Sequence, residues 1–267
     1  MTLSEINVYP VKGLAGMRLD RAFVEFRGLR FDRRWMVVDG AGVFLSQRSH
    51  PKMATLKATV LEKCLQLSAA NDQLCLPLIA DGQERMVRVW KSEVLAQEVS
   101  PEADEWLGNH LGFACTLVQM PEKAIRPTNS EFSRDGDHVS FADGYPLLLA
   151  NDASLKDLNG RLDSPVPMNR FRPNLVVTGS VRPWAEDDWH KIQIGGIEFR
   201  CAKPCGRCQV TTIDQSTGVP SGDEPLRTLA TFRKVENSVN FAINLIPDGE
   251  GWIGVGETVQ AVTPVSG

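Results

Sequence analysis

No stretch of this chain approaches the ~18–20 consecutive apolar residues that a membrane-spanning helix needs, so no membrane partner is expected. The opening residues Met1-Thr2-Leu3-Ser4-Glu5 lack the basic and apolar blocks of a secretory signal, and the cytoplasm is the expected compartment. Basic residues are not in excess: 29 Lys and Arg stand against 33 Asp and Glu, a net charge of −4. A dedicated nucleic-acid binder usually shows the opposite balance, so no nucleic-acid partner is expected either. No Gly-x-Gly-x-x-Gly fingerprint for a dinucleotide is present. Nor is there a four-cysteine set of the kind an iron–sulfur cluster uses. Histidine is scarce, at His50, His110, His138 and His190, and no repeat or low-complexity segment appears.

What is present is an ordinary globular composition, 42% hydrophobic over 267 residues, with chain enough for one large domain or two small ones. The first hundred residues read mostly as strand. Ile6–Tyr9 and 22–26 alternate, and Trp35-Met36-Val37-Val38 leads through Asp39-Gly40-Ala41-Gly42 into Val43-Phe44-Leu45, a hairpin signal. The stretches 87–90 and 93–95 suggest another strand pair. Pro101 with the acids after it opens a helix that Gly108 or Gly112 ends. Beyond residue 120 the types mix. Leu155, Leu158 and Leu162 predict a helix over 153–162 with Asp152 as its cap, and 224–232 predicts another. The stretches 175–177, 192–194, 197–199, 241–244 and 252–255 read as strands. Charged, Pro-containing sequence from Pro121 to Gly136 reads as a linker. The expected fold class is α+β and β-rich, divided into residues 1–120 and 121–267.

Six cysteines are present, and Cys201, Cys205 and Cys208 fall within eight residues. A Cys-x-x-Cys pair can hold half of a zinc site, but no second paired motif supplies the other two ligands. It can be a redox dithiol, although Gln209–Asp214 after it reads as strand rather than helix. It can be buried thiols, or it can offer one thiolate to a softer metal. Arg207 beside Cys208 favours the thiolate. Further cations sit at loop-like places: Lys12 before Gly13, Arg33-Arg34, Arg48 after Gln47, and Arg170 and Arg172 ahead of Asn174. Each alone reads as a solvated surface charge. Together they suit an anionic, phosphate-bearing ligand. His138 and Asp143 read as a surface histidine and a turn aspartate.

The ordered stretches Tyr9-Pro10-Val11-Lys12, Asp32-Arg33-Arg34-Trp35, 153–159, Phe171-Arg172-Pro173-Asn174, Cys205–Asp214, Thr217-Gly218 and 224–229 span nearly the whole chain. Through them the chain resembles the MOSC family of molybdenum-cofactor proteins, with its N-terminal β-barrel companion domain. Within that family it is similar to the amidoxime-reducing components and the bacterial reductases of N-hydroxylated compounds. The resemblance implies an N-terminal β-barrel-like domain followed by a MOSC β-barrel domain with a few helices. It implies a molybdenum cofactor, with Cys208 as metal ligand and catalytic residue. Gly206, Arg207, Arg172 and Asn174 match residues that line the cofactor, and Lys12 and Arg33 match those that hold its phosphate. Gly13 stands where relatives often have Ser, so only a backbone N–H can serve there. A pyridoxal-phosphate-binding description is a further reading the resemblance leaves room for.

The implied reaction is reduction of an N–O bond in an N-hydroxylated small molecule. The alternatives are a cofactor carrier, or a sulfur carrier with a persulfide on Cys208. Some bacterial relatives continue into an iron–sulfur domain; this chain has no later cysteines. The electron donor is therefore expected to be a separate ferredoxin, flavoprotein or cytochrome. Cys201 and Cys205 are expected to be bystanders.

Overall fold

The computed structural model describes residues 1–262 apart from Val181. Its largest sheet runs, edge to edge, through 259–262, Lys191–Ile194, Ile197–Gly206, Ser238–Pro247, Leu147–Asn151, Leu175–Thr178, Thr2–Val8 and Met17–Leu19. Leu147–Asn151 and Leu175–Thr178 are its one parallel pair among the described residues. Parallel strands need a crossover, and the helix Asp152–Asn159 lies on it. Leu147–Asn151 is buried along its whole length, which is why it reads as an unbroken apolar run rather than an alternation.

Three smaller sheets complete the molecule. Five strands follow the order Glu84–Val89, Ser92–Glu98, Thr116–Gln119, Trp35–Val38, Val11–Lys12. Lys57–Val60, Cys64–Ala69 and Asp72–Pro77 form a meander, and Gly251–Gly254 pairs with Arg21–Glu25, which pairs with Gly28–Leu29. The β-rich α+β expectation holds. The two expected barrels do not appear as closed structures. The two edges of the largest sheet, 259–262 and Met17–Leu19, pair inward and not with each other. Apolar side chains from that sheet form one core, including Leu3, Ile6, Leu149, Leu175, Phe199 and Leu245. A second core gathers Trp35, Met53, Leu65, Trp106 and Leu107.

The sheets do not follow the sequence halves. Thr2–Val8 lies antiparallel to Leu175–Thr178, with Ile6 opposite Leu175, and Arg21–Glu25 lies against Gly251–Gly254. The first thirty residues therefore fold onto the last hundred. The stretch read as a linker is packed as well. Arg126 is 4% exposed, and its guanidinium donates to the carbonyls of Ser140, Ala142 and Asp143.

Local rules account for most element ends. Helix Pro101–Leu111 starts with Ser100 accepting from the Ala103 N–H and stops at Gly112, whose φ of +89° suits glycine. Gly195 and Gly196, both at positive φ, turn the hairpin between Lys191–Ile194 and Ile197–Gly206. The cap of Asp152–Asn159 is Asn151 rather than Asp152, and the helix stops short of Leu162. The third helix is shorter than expected, Leu226–Ala230. Gln209–Thr212 is a single 3₁₀ turn instead of a strand. Its two threonine hydroxyls donate to the carbonyls of Cys208 and Gln209, and such local bonds compete with a strand ladder.

Candidate functional site

A cleft of about 200 Å³ opens where the first thirty residues, the five-stranded sheet and the end of strand Ile197–Gly206 meet. Lys12, Gly13, Arg33, Arg172, Asn174, Gly206, Arg207 and Cys208 all line it. They come from four distant places in the chain. Isolated surface cations have no reason to share one cleft, so the geometry separates these residues from ordinary solvated charges.

One wall is built on Tyr9. The ring is 6% exposed, and the guanidinium groups of Arg33 and Arg172 each stand 4.3 Å from its centre. Such cation–π contacts strengthen as water is excluded. Asp32, 1% exposed, accepts from the Tyr9 N–H at 2.8 Å and from Arg33 Nη1 at 2.6 Å. Burial pushes its carboxyl up against the pull of Arg33. Arg172 donates to the Leu14 carbonyl at 2.7 Å and to Gln215 Oε1 at 3.3 Å, and burial pulls it down to about 10. Phe31, Arg33 and Arg172 all hold positive φ, at +69°, +48° and +52°. Non-glycine residues in that region cost of order 1–3 kcal/mol each, a strain that surrounding packing must hold. Asn174 has both ends of its amide committed: Nδ2 donates to the Asn7 carbonyl and Oδ1 accepts from the Leu148 N–H. It ties the first strand to the buried one and shapes the cleft through the backbone.

Lys12 closes this side. It is 8% exposed and donates to Asp143 Oδ1 at 2.5 Å. Burial lowers its pKa, with Asp143 opposing. Trp90 Nε1 donates to the same carboxylate oxygen at 3.0 Å. Enclosure in the cleft raises the Asp143 carboxyl, but Lys12 and Trp90 outweigh it and hold the group well below the usual carboxylate range. Its side chain is 69% exposed, so solvent screens part of that attraction. Gly13 turns the chain at φ +86°, where a Cβ would stand 2.9 Å from Met53 Cε.

The opposite wall ends the strand Ile197–Gly206. A Cβ on Gly206 would come within 2.3 Å of Ser238 Oγ, a hydroxyl that would have to turn away from its bond to Asn240. Arg207 donates to the Phe171 carbonyl at 2.8 Å and to Cys205 Sγ at 3.0 Å, while its buried Nε has no protein partner. The cation expected at Cys208 is therefore a different one. Arg48 Nε donates to Cys208 Sγ at 3.3 Å, and the Arg48 guanidinium lies over Trp90 at 4.4 Å. A strand end turns neighbouring side chains apart, which sends Arg207 to Cys205. Cys201 is packed against the main core, and burial pushes its thiol up to about 12. Among the described residues no three His, Cys, Asp or Glu side chains gather as a metal-binding group, so a closed zinc site has no donor set.

Sequence reasoning counted Arg48 among the cations but gave it no thiol partner, left Trp90 outside the site and read Asp143 as a plain turn residue. Trp90 carried a weak signal, as a large aromatic at a hairpin tip. Asp143 carried none, because its meaning comes from a lysine 131 residues away.

A β-rich fold with two thiols, Cys205 and Cys208, and several cations on a shared cleft defines the class. The MOSC domain family matches residues 136–260, and the MOSC N-terminal beta barrel domain family matches residues 1–114. The chain belongs to the MOSC family. It is 35% identical over 248 residues to mitochondrial amidoxime reducing component 2 of Bos taurus, covering 89% of this chain and 74% of that one. It is 31% identical to mitochondrial amidoxime-reducing component 1 of Mus musculus, covering 97% and 81%. It is also 31% identical to the molybdenum cofactor sulfurase of Oryza sativa subsp. japonica, covering 98% of this chain and 35% of that much longer protein. Among the described residues no helix is long and apolar enough to cross a membrane.

Proposed function

We propose that this protein is a molybdenum-cofactor-dependent reductase of N-hydroxylated small molecules, fed by a separate electron-donor protein. The observation that carries the reading is the meeting of Cys208 with Lys12, Arg33 and Arg172 on one cleft. The donor set fits the cofactor: a soft thiol for the metal at Cys208, with Cys205 beside it held by Arg207, and several cations for a phosphate. When bound, the cofactor supplies the two-electron cleavage of the N–O bond.

The chain's own residues do the rest. Cys208 holds the metal. Arg33 and Arg172, braced on Tyr9, and Lys12 hold the phosphate, while Gly13 lets the backbone approach it. Asn174 ties the first strand to the buried one beneath the cofactor, and Gly206 carries the chain from the strand end to Cys208. Asp143 stays ionised at neutral pH, so it positions Lys12 and Trp90 and delivers no proton. The donor is a ferredoxin, a flavoprotein or a cytochrome, docking near Cys208 in a small encounter of the kind redox partners make, under ~1,200 Å².

The test uses protein made in a molybdenum-replete host. Metal analysis and pterin fluorescence should show the cofactor, and reduced viologen should drive reduction of an N-hydroxylated substrate. NADH or NADPH alone should not, and turnover with either alone would overturn the separate donor. Bound metal without turnover on any N-hydroxylated substrate would make the chain a carrier. Labile sulfane sulfur on Cys208 without pterin would make it a sulfur carrier.

A further inference from the structure

Two cysteines that the cleft does not use stand together on the three-stranded meander. Cys64–Ala69 and Asp72–Pro77 form its outer hairpin, with Gln66 opposite Cys75 and Ser68 opposite Gln73. Leu65, Leu67 and Leu76 point into the second core, so Cys64, Gln66, Gln73 and Cys75 share the outer face. Cys75 is exposed, and the Cys64 thiol donates to its Sγ at 2.8 Å. This contact runs along a diagonal, since the residue directly opposite Cys64 is Pro77. Gln66 Nε2 donates to Gln73 Oε1 at 3.1 Å along the same diagonal. Sheet twist makes the two diagonals of a strand pair unequal. Two successive pairs in contact on one diagonal mean that the backbone, not a single rotamer, brings the sulfurs together. Donating to Cys75 raises the Cys64 thiol, so Cys64 keeps its proton and Cys75 is the sulfur that solvent reaches first. Burial pushes the Cys115 and Cys201 thiols up to about 11 and about 12, so neither is a ready nucleophile.

We propose that Cys64 and Cys75 are a thiol–disulfide exchange site, which closes into an intramolecular disulfide on reaction with a low-molecular-weight disulfide such as oxidised glutathione and reopens with the reduced thiol. The exchange does not depend on the reductase reading. Cys75 gives its proton to solvent and attacks one sulfur of the small disulfide. The S–S bond of that molecule breaks, and its other half leaves as a thiolate that takes up a proton. Once Cys75 is capped, the hydrogen bond that held the Cys64 proton is gone. Cys64 then gives that proton to solvent and attacks the Cys75 sulfur, and the second glutathione leaves as a thiol. The two protein thiols lose two electrons, and the small disulfide gains them as two thiols. The second step is intramolecular, between residues eleven positions apart that already touch, so it outruns a second encounter with glutathione. The closed bond lies at the open end of the hairpin, away from its turn at Ala70 and Asn71. There it fastens Asp72–Pro77, an edge strand of its sheet. Exposed disulfides are of the labile kind that small thiols reopen.

The test uses the full chain, reduced and freed of small thiols, then held in glutathione buffers of rising oxidised fraction. Differential alkylation with peptide mass mapping reads each cysteine. Cys64 and Cys75 should lose labelling together, in a chain lighter by two hydrogens and carrying no glutathione, while Cys115 and Cys201 stay reduced. Excess reduced glutathione should restore labelling at both. Cys64→Ser removes the second thiol, so Cys75 should then retain one glutathione. Cys75→Ser should leave Cys64 about tenfold slower to take up glutathione than Cys75 is in the Cys64→Ser chain. Both substitutions lie on the outer face, and an unchanged melting temperature of the reduced chains would show that the fold survives. Glutathione held on Cys75 of the parent chain, loss of label at one of the two cysteines alone, or a bond that excess reduced glutathione does not reopen would each overturn the exchange site. So would closure of Cys205 with Cys208 while Cys64 and Cys75 still label.

Discussion

The two walls of the cleft are built on opposite plans. The Tyr9 wall is dry and over-determined: Asp32 and Tyr9 are almost fully buried, Arg33 and Arg172 both stand over one ring, and both arginines sit in strained backbone. The Cys208 wall is open. Cys205, Arg207 and Cys208 are half-buried, Arg48 is exposed, and the chain leaves a strand for a 3₁₀ turn. Strain and burial are what a site needs to hold an anion without reorganising each time. Access is what it needs where a substrate and an electron donor must come and go. On the proposed function, one wall is the anchor and the other the working edge.

Substitutions should break this division in a graded way. The largest effect is expected at the working edge. Cys208→Ser should lower metal content and viologen-driven turnover more than about 100-fold, beyond the 10–100-fold typical of losing a supporting residue around a metal. Cys201→Ser, on the same strand run but packed in the core, should stay within about twofold. Equal losses from both would mean the two sulfurs act together, and the contrast between the walls would fail. Next comes the anchor. Arg172→Gln removes a buried charge-assisted donor and should weaken retention of the cofactor about 10–100-fold, read as pterin remaining after gel filtration. Unchanged retention would mean that the Tyr9 wall holds no phosphate.

A finer test separates bracing from contact. Tyr9→Leu removes both ring faces and should weaken inorganic phosphate binding to the cofactor-free protein several-fold, since each cation–π contact contributes about 0.5–2 kcal/mol. Tyr9→Phe keeps the faces and loses only the hydroxyl bond to the Pro173 carbonyl at 3.2 Å, so it should match the parent. If Phe behaves like Leu, the hydroxyl and not the stacking is what matters.

The smallest effect concerns pH. Burial raises the Cys201 thiol from 9.0 to about 12. Its stabilising contribution is therefore complete below pH 9 and is lost as pH rises toward 12, because the unfolded chain ionises first. Cys201→Ala should flatten the alkaline loss of stability by up to about 1.4 kcal/mol per pH unit above pH 9, measured by urea unfolding. An identical slope in parent and variant would place Cys201 outside the core.

How much of this was legible beforehand differs between the walls in the same way. Short-range signals read well: Pro101 and Gly112 at a helix, the glycine pair of a hairpin, and the period-2 strands all depend on neighbours in sequence. The clustered thiols and the cations ahead of Asn174 were visible as residue types and gained their meaning from an ordered family resemblance. What did not read was any pairing fixed by tertiary approach. Nothing near Asp143 announces Lys12, and nothing near Arg48 announces Cys208. Arg207 misled for the same reason: adjacency in sequence at a strand end puts side chains on different sides, and the nearer cation served Cys205. Arg126 misled from the other direction, because a Pro- and charge-rich composition resembles a solvated linker until its three carbonyl partners are known.

The pairing of Thr2–Val8 with Leu175–Thr178 also governs how the molecule can be made. On a ribosome adding ~5–20 residues per second, the first strand waits roughly 10–35 s before its partner is even translated. Until then Met17–Leu19 can pair with only one edge of the strand, and Leu3, Ile6 and Val8, fully buried in the finished protein, lack most of the core that covers them. A nascent chain with such a half-covered strand is open to non-native pairing with its neighbours. The same topology sets where the gene can be divided. A fragment ending after residue 114 carries away a strand that belongs to the other piece, and two fragments split there should be recovered in folded form only when produced together.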